Sequence, residues 1–294
     1  MSPIPPKACT YSCIYCQLGH TTDLRVARDR FFDPARIEND IETAVLACKE
    51  KADFITMVGD GEPILSTDIG RLISYCKRRW DIPVGVITNG SLLWDNEVRS
   101  QLHEADIVSV TVSAGEESEF RKIHRPHGKL KFQKVMDGMR EFRKDFNGKL
   151  WAEVMLVAGL NDSDGVLHSI KEQLDSISPD KIFIATPTRP PAESWVRPPG
   201  TDSILNAAAI LNGSIEMTLP ETGNFAITGD VKHISDTILQ LCSRHPMMEH
   251  QLREIEGQLD TIFVDGMIAD GLVIWKPHMG IRYLVPNNMK GRQT

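Results

Sequence analysis

The chain has 294 residues, 41% of them hydrophobic and 25% charged, with 33 Lys and Arg against 40 Asp and Glu and a formal net charge of −7. This balance excludes an intrinsically disordered chain and a protein whose whole surface tracks nucleic-acid phosphates, although a local basic groove stays compatible with it. No stretch approaches the roughly 18 uninterrupted apolar residues of a membrane span, and no charged-then-apolar leader opens the sequence, so a cytoplasmic protein with no membrane attachment is expected.

The first feature in chain order is a cysteine loop, Cys9-Thr10-Tyr11-Ser12-Cys13-Ile14-Tyr15-Cys16, spaced C-x3-C-x2-C with an aromatic residue before the third cysteine. The other cysteines, Cys48, Cys76 and Cys242, are scattered, which is no disulfide framework for a chain of this size. The cluster points to a metal or iron–sulfur centre, and the scattered three read as small buried hydrophobes. Three thiolates on one short loop can hold three irons of a [4Fe–4S] cube and leave the fourth iron open as a binding position. A zinc knob completed by His20 or a remote residue is the other reading, weakened because no second C-x2-C pair exists.

Then short apolar runs alternate with amphipathic stretches, the pattern of βα units around a parallel sheet. Helices are expected at Arg36–Glu50, Asp68–Arg79, Asp95–Glu104, Leu130–Phe146 and Val166–Ile177, and strands at Asp53–Val58, Val84–Thr88, Ile107–Val112, Trp151–Val157 and Lys181–Ala185. Polar and glycine-rich residues follow each strand, at the end that carries the chemistry in parallel barrels. A proline-rich stretch, Thr188–Gly200, predicts a boundary or an ordered lid loop, followed by a short helix (Asp202–Asn212) and strand (Ile215–Thr218). Beyond about residue 231, helices at Ile234–Arg244 and Met248–Gln258 and a hairpin turning near His278-Met279-Gly280 suggest a small winged-helix module. Its charge balances at seven basic against seven acidic residues, which argues against a DNA-binding role.

The cysteine spacing resembles the hallmark of the radical S-adenosylmethionine (SAM) superfamily. The segments Gly59-Asp60-Gly61-Glu62-Pro63, Ile123–His127, Trp151–Asp162 and Thr188–Glu193 resemble one Fe–S oxidoreductase branch of it, grouped with wyosine-type tRNA synthases. The resemblance implies an α/β fold, a partial (βα)6 TIM-like barrel with a small C-terminal α+β winged-helix-like module, divided as residues 1–230 and 231–294. It implies that Cys9, Cys13 and Cys16 hold a [4Fe–4S] cluster. The open iron chelates S-adenosyl-L-methionine, whose reductive cleavage gives a 5′-deoxyadenosyl radical that abstracts hydrogen from a tRNA base, a peptide or a small molecule. Reduced flavodoxin or ferredoxin is the implied electron donor. Members usually carry a further segment before the cysteine loop that supplies the first barrel strand. Here only Met1–Ala8 precede Cys9, so that strand is expected to be missing or replaced by an irregular edge.

Carried over residue by residue, Gly59, Asp60, Gly61 and Glu62 match the loop that binds the methionine amino group, with Asp60 where glycine is common. Asn89, in the turn Thr88-Asn89-Gly90, lines the mouth; Thr111 and Ser113 match the ribose strand; Val157 and Asn161 fall in the segment that contacts the adenine, mostly through backbone. From the residues themselves, Arg125, in the basic run Phe120–His127, is either part of a solvated helix end or an anion-recognising group. Glu153 on its strand, and Arg189 and Glu193 in the loop after the strand Lys181–Ala185, are candidates for contact with substrate. A second reading, from a different class, is a cluster-sensing DNA-binding regulator with the cysteine loop as a redox switch.

Overall fold

The computed structural model describes residues 1–48, 52–215 and 234–287. Two short parallel strands, β1 (Ala8–Cys9) and β2 (Asp23–Leu24), brace the cysteine loop. The βα units follow: α1 (Pro34–Ala47), β3 (Ile55–Val58), α2 (Ile69–Arg79), β4 (Val84–Thr88), α3 (Asn96–Leu102), β5 (Ile107–Thr111), α4 (Glu117–His124), α5 (Phe132–Asp145), β6 (Lys149–Met155), α6 (Asp164–Ile177), β7 (Lys181–Ala185), α7 (Thr201–Leu211) and β8 (Ser214–Ile215). Strands β3 to β8 form one six-stranded parallel sheet in sequence order, the partial barrel that the alternating pattern predicts. The expected strand at Ile215–Thr218 lies outside the described residues beyond Ile215, as does the end of the expected helix Arg36–Glu50 beyond Cys48. At the free edge of β3, Val58 N–H donates to the carbonyl of Met1 (2.8 Å), and Asp60 N–H donates to Ser2 Oγ (3.0 Å).

Local chemistry starts and stops the elements. Asp33 caps α1 by accepting from Ala35 N, with Pro34 in its first turn and Ile37, Ile41 and Val45 facing the core. Asp95 caps α3 in the same way. The α4 segment, read from sequence only as a basic run, is a helix because Phe120, Ile123 and His124 recur on one buried face. Arg125 ends it in the left-handed conformation, at φ 43°. Strand β6 lies two residues earlier than expected. Asp106 O takes the N–H of Lys149 at its start, while Val157 N–H bonds the Asn161 side chain instead of continuing the ladder. Cys76 and Cys242 are buried as expected, but Cys48 is exposed, because it caps the end of α1 at the surface.

Residues 234–287 fold as α8 (Ile234–Arg244), β9 (Met247–Met248), α9 (Glu249–Leu259), α10 (Val264–Ala269), β10 (Val273–His278) and β11 (Ile281–Pro286), with a three-stranded antiparallel sheet in the order β10-β11-β9. The hairpin turns on Met279 and Gly280, both at positive φ (48° and 78°), as a two-residue connection between twisted strands requires. The sequence pattern missed β9 and α10. The core of this segment, built on Ile238, Leu252, Val264, Val273 and Leu284, is separate from the core beneath the barrel helices.

Along β6, Leu150, Ala152 and Val154 are fully buried under the helices, while Trp151, Glu153 and Met155 face the concave side. That inner face is wet: Ile87 is 48% and Phe54 46% exposed there. Two aspartates set the register at the opposite end of the sheet. Asp106, just before β5, accepts from Val84 N (2.7 Å) and Lys77; Asp180, just before β7, accepts from Leu150 N (2.8 Å) and Arg143. These donors hold both carboxyls below the usual value of 3.8 in spite of partial burial. Depressed values mean that their contribution is complete above pH 3.8 and is lost as the pH falls below it. Asp180→Ala, which leaves the buried Leu150 N–H unpaired, is expected to lower stability by about 1–3 kcal/mol at neutral pH and to flatten the acid limb, measured by denaturant titration across pH.

Candidate active site at the barrel mouth

The cysteine loop is seated from two sides. On one side, Glu62 N–H donates to Ala8 O (2.9 Å) and Lys7 N–H to Asp60 O, zipping the loop to the Gly59–Pro63 turn. A Cβ on Gly61 would lie 1.9 Å from Ala8 O, so only glycine permits this approach. Thr10, completely buried, accepts from Asn89 Nδ2 (2.7 Å) and shares a hydrogen bond with Ser91 Oγ (2.7 Å), which pins the loop to the turn after β4. On the other side, the carbonyls of Ile123, His124 and Arg125 receive the N–H groups of Ile14 and Ser12, and Ile14 packs with Val157 and Val196.

All three loop cysteines are free thiols, and burial is the first cause that pushes each of them up, Cys9 to about 12. Repulsion from Cys16 and Cys9 adds to the rise at Cys13. Soft donors on one loop fit a [4Fe–4S] cluster. Among the described residues, no three His, Cys, Asp or Glu side chains, the loop cysteines included, converge closely enough to hold a single metal ion.

Beside Cys16 opens a cavity of about 600 Å3, walled by Gly59, Asp60, Ile87, Glu153, Met155 and Arg189. It is large enough for a nucleoside-sized ligand. A second cavity of about 220 Å3, among Phe54, Ile87, Ser109, Trp151, Glu153 and Phe183, continues down the concave face, so Glu153 lines both. Over the mouth, Arg244 pairs with Asp60 (3.0 Å), and Arg189 meets Gln17 Oε1 (3.5 Å) and His245 Nε2 (2.6 Å). Burial holds Asp60 above the ordinary aspartate value although Arg244 opposes the rise. The hairpin β10–β11 grips the loop after β7 by its carbonyls: His278 donates to Pro187 O (2.7 Å), Lys276 to Pro191 O (3.0 Å) and Tyr283 to Thr188 O (3.1 Å).

Of the residues singled out from sequence, Cys16, Gly59, Asp60, Glu153 and Arg189 meet around the larger cavity. Others are engaged within the fold. Glu62 is buried, with Oε1 accepting from Thr88 Oγ1 (2.5 Å) and Ile64 N (3.2 Å) and Oε2 accepting from Asn89 N (2.7 Å); burial pushes it up to about 7 against these donors. Ser113 Oγ accepts from Met155 N (2.9 Å), and Asn161 donates to the carbonyls of Ser113 and Met155, stitching the ends of β5 and β6. Thr111 is half-buried beside Tyr11 and His124, and Val157 is packed on Ile14. Arg125 is ion-paired to Glu193, whose N–H donates to Ile14 O, so this pair straps the outside of the cysteine loop and does not line the cavity. Residues the sequence did not flag are Thr10, Gln17, His124, Arg244 and His245. For His124 alone a local signal existed, its place on the apolar face of α4 with Phe120.

The sequence model of the radical SAM superfamily matches residues 4–168. A UPF0026 protein of Methanocaldococcus jannaschii is 31% identical, over 99% of this chain and 92% of that protein. A protein named GTPase Obg from Brachyspira hyodysenteriae is 34% identical, over 85% of this chain but 37% of its own length. Among solved structures, a radical SAM methyltransferase from Sphaerobacter thermophilus matches with TM-score 0.55 at 15% identity, over 71% of this chain and 63% of that one. Streptococcus suis SuiB bound to S-adenosylmethionine matches with TM-score 0.53 at 14% identity, over 80% of this chain and 52% of that one. The chain thus spans between half and two thirds of these solved chains, and the likeness to them is one of fold.

Two glycines provide a paired test of the seating. Gly61→Ala drives a Cβ into Ala8 O and is expected to cost about 3 kcal/mol or more. Gly165→Ala, in α6 with nothing within 4 Å of the added carbon, is expected to stabilise by up to about 1 kcal/mol. Denaturant unfolding of both variants checks the contrast.

Proposed function

The chain belongs to the radical SAM superfamily, whose members are enzymes working with a [4Fe–4S] cluster and S-adenosylmethionine, and from that premise we propose which of its residues do what. Cys9, Cys13 and Cys16 hold the cluster. The observation that carries this reading is that Cys16, the Gly59-Asp60 turn, Glu153 and Arg189 line one cavity. When bound, the reduced cluster and S-adenosylmethionine supply one-electron cleavage leading to hydrogen abstraction.

The rest falls to side chains and backbone of this chain. The Gly59–Gly61 turn offers carbonyls and the Asp60 carboxylate, now on Arg244, to the methionine ammonium. Glu62 and Asn89 hold that turn and the cysteine loop at fixed spacing rather than reaching into the cavity. Ends of β5 and β6 at Thr111, Ser113, Val157 and Asn161 form the nucleoside side of the mouth, Ser113 and Asn161 by fixing backbone since their own polar atoms are engaged. Ile87 and Met155 give the cavity apolar walls, while Glu153 and Arg189 face the substrate and orient it. Arg125 is reassigned from contact with substrate to the Glu193 strap.

The substrate is a tRNA base, a peptide group or a small molecule able to enter the mouth. Reduced flavodoxin or ferredoxin is the proposed electron donor, meeting the chain where the cysteine loop surfaces at Gln17 and His20. We divide the chain into a barrel, 1–230, and a winged-helix-like module, 231–294, on the basis of the separate cores. For a DNA-binding regulator the module is poorly equipped. Helix α10, in the place of a recognition helix, carries Asp265 and no basic residue, and the hairpin is occupied by the loop after β7. Its contacts suit a lid that shapes the mouth. No helix among the described residues is long and apolar enough to cross a membrane.

Anaerobic reconstitution with iron and sulfide, then dithionite and S-adenosylmethionine, is expected to yield 5′-deoxyadenosine and methionine. A chain shown to hold a full cluster that gives no cleavage product contradicts the reading. Cys13→Ala is expected to lose the charge-transfer absorbance at about 400 nm; retention with full iron content removes Cys13 from the ligand set.

A further inference from the structure

The last turn of α4 ends on the cysteine loop. Ser12 N–H donates to the carbonyls of His124 (3.0 Å) and Arg125 (3.3 Å), and Ile14 N–H donates to Ile123 O (3.0 Å). Carbonyls that a helix leaves without partners are thus satisfied by the two residues flanking Cys13. This backbone pairing places the His124 ring against Cys13. Its Nδ1 lies 3.4 Å from Cys13 Sγ and 3.4 Å from Tyr15 OH. The ring is 2% exposed, with centroids of Tyr11 at 5.1 Å, Phe120 at 5.7 Å and Tyr15 at 5.9 Å around it. It does not line the mouth cavity, and no step assigned above uses it.

We propose that His124 is a positioning residue that donates its Nδ1–H to the Cys13 sulfur and, with Tyr15 OH beside it, raises the reduction potential of the cluster. This rests on the assignment of Cys13 as a ligand. A hydrogen bond to a ligand sulfur withdraws electron density and favours the reduced, more negative cluster over the oxidised one. Inside an aromatic box no water replaces the donor once it is removed, so the effect of its loss is not masked. No proton is transferred: the electron enters the cluster and the imidazole keeps its N–H.

The test is an EPR-monitored redox titration of the reconstituted full chain, with iron and sulfide measured alongside. His124→Phe keeps the aromatic box and deletes the donor. The ratio of reduced to oxidised cluster at a fixed applied potential is expected to fall about tenfold, equivalent to 59 mV for a one-electron couple. His124→Asn, which puts an amide N–H near the place of Nδ1, is expected to stay within about twofold of the unsubstituted chain. His124→Phe at the unsubstituted potential with full iron overturns the inference, as does His124→Asn following His124→Phe. Should the variants not retain iron, the unsubstituted holoprotein carrying isotopically labelled histidine nitrogens decides. A histidine nitrogen coupling to the reduced cluster in pulsed EPR is expected, and its absence overturns the inference. An unsubstituted chain that takes up no cluster overturns the assignment of Cys13 instead.

Discussion

The site depends on a missing side chain. Where the turn after β3 passes under the cysteine loop, Gly61 leaves room for Ala8 O to come close enough to accept the N–H of Glu62, and a methyl group there would overlap that oxygen. From this approach the rest of that wall follows. Glu62, held by its own backbone bond, turns its carboxylate onto Thr88 and Asn89 at the end of β4, and Asn89 in turn reaches Thr10 within the cysteine loop. Three segments, none adjacent in sequence, are locked by hydrogen bonds that close on one another. In a buried setting such a ring of bonds resists loss of any member, because each leaves a polar atom without a partner.

The opposite wall is built by different means. There the carbonyl end of α4 and the apolar contact of Ile14 with Val157 and Val196 hold the loop, reinforced on the outside by the pair of Arg125 and Glu193. The cysteine loop is therefore a core element in its backbone and its apolar residues, while its third sulfur is presented to the cavity. Rigid placement of this kind is what chemistry on a reactive species needs, since disorder at the site of reaction admits water and side reactions.

Much of the scaffold is legible in the sequence. Strands β4 and β7 and helix α8 begin and end where apolar periodicity places them, because buried parallel strands are continuous apolar runs and their helices carry one apolar stripe. The cysteine spacing, set by a soft metal centre, was equally plain. What sequence could not rank was the duty of polar residues at strand ends. Ser113, Asn161 and Glu62 have the residue types a ligand needs, but those types also satisfy stray backbone groups at the rim of a sheet, and only the partners tell the two apart. Thr10 and the contacts of Arg244 and His245 were unreadable for another reason. Their partners lie scores of residues away, and nothing local announces them.

The concave face has a further consequence. Among the described residues the six strands have edges at β3 and β8 and make a trough, with an exposed apolar floor at Phe54 and Ile87. A closed eight-stranded barrel has a filled interior and meets its ligands at its end loops. A trough sets no such limit on the size of what it serves: a long molecule can lie across it and present one group to the chamber while the remainder stays in solvent.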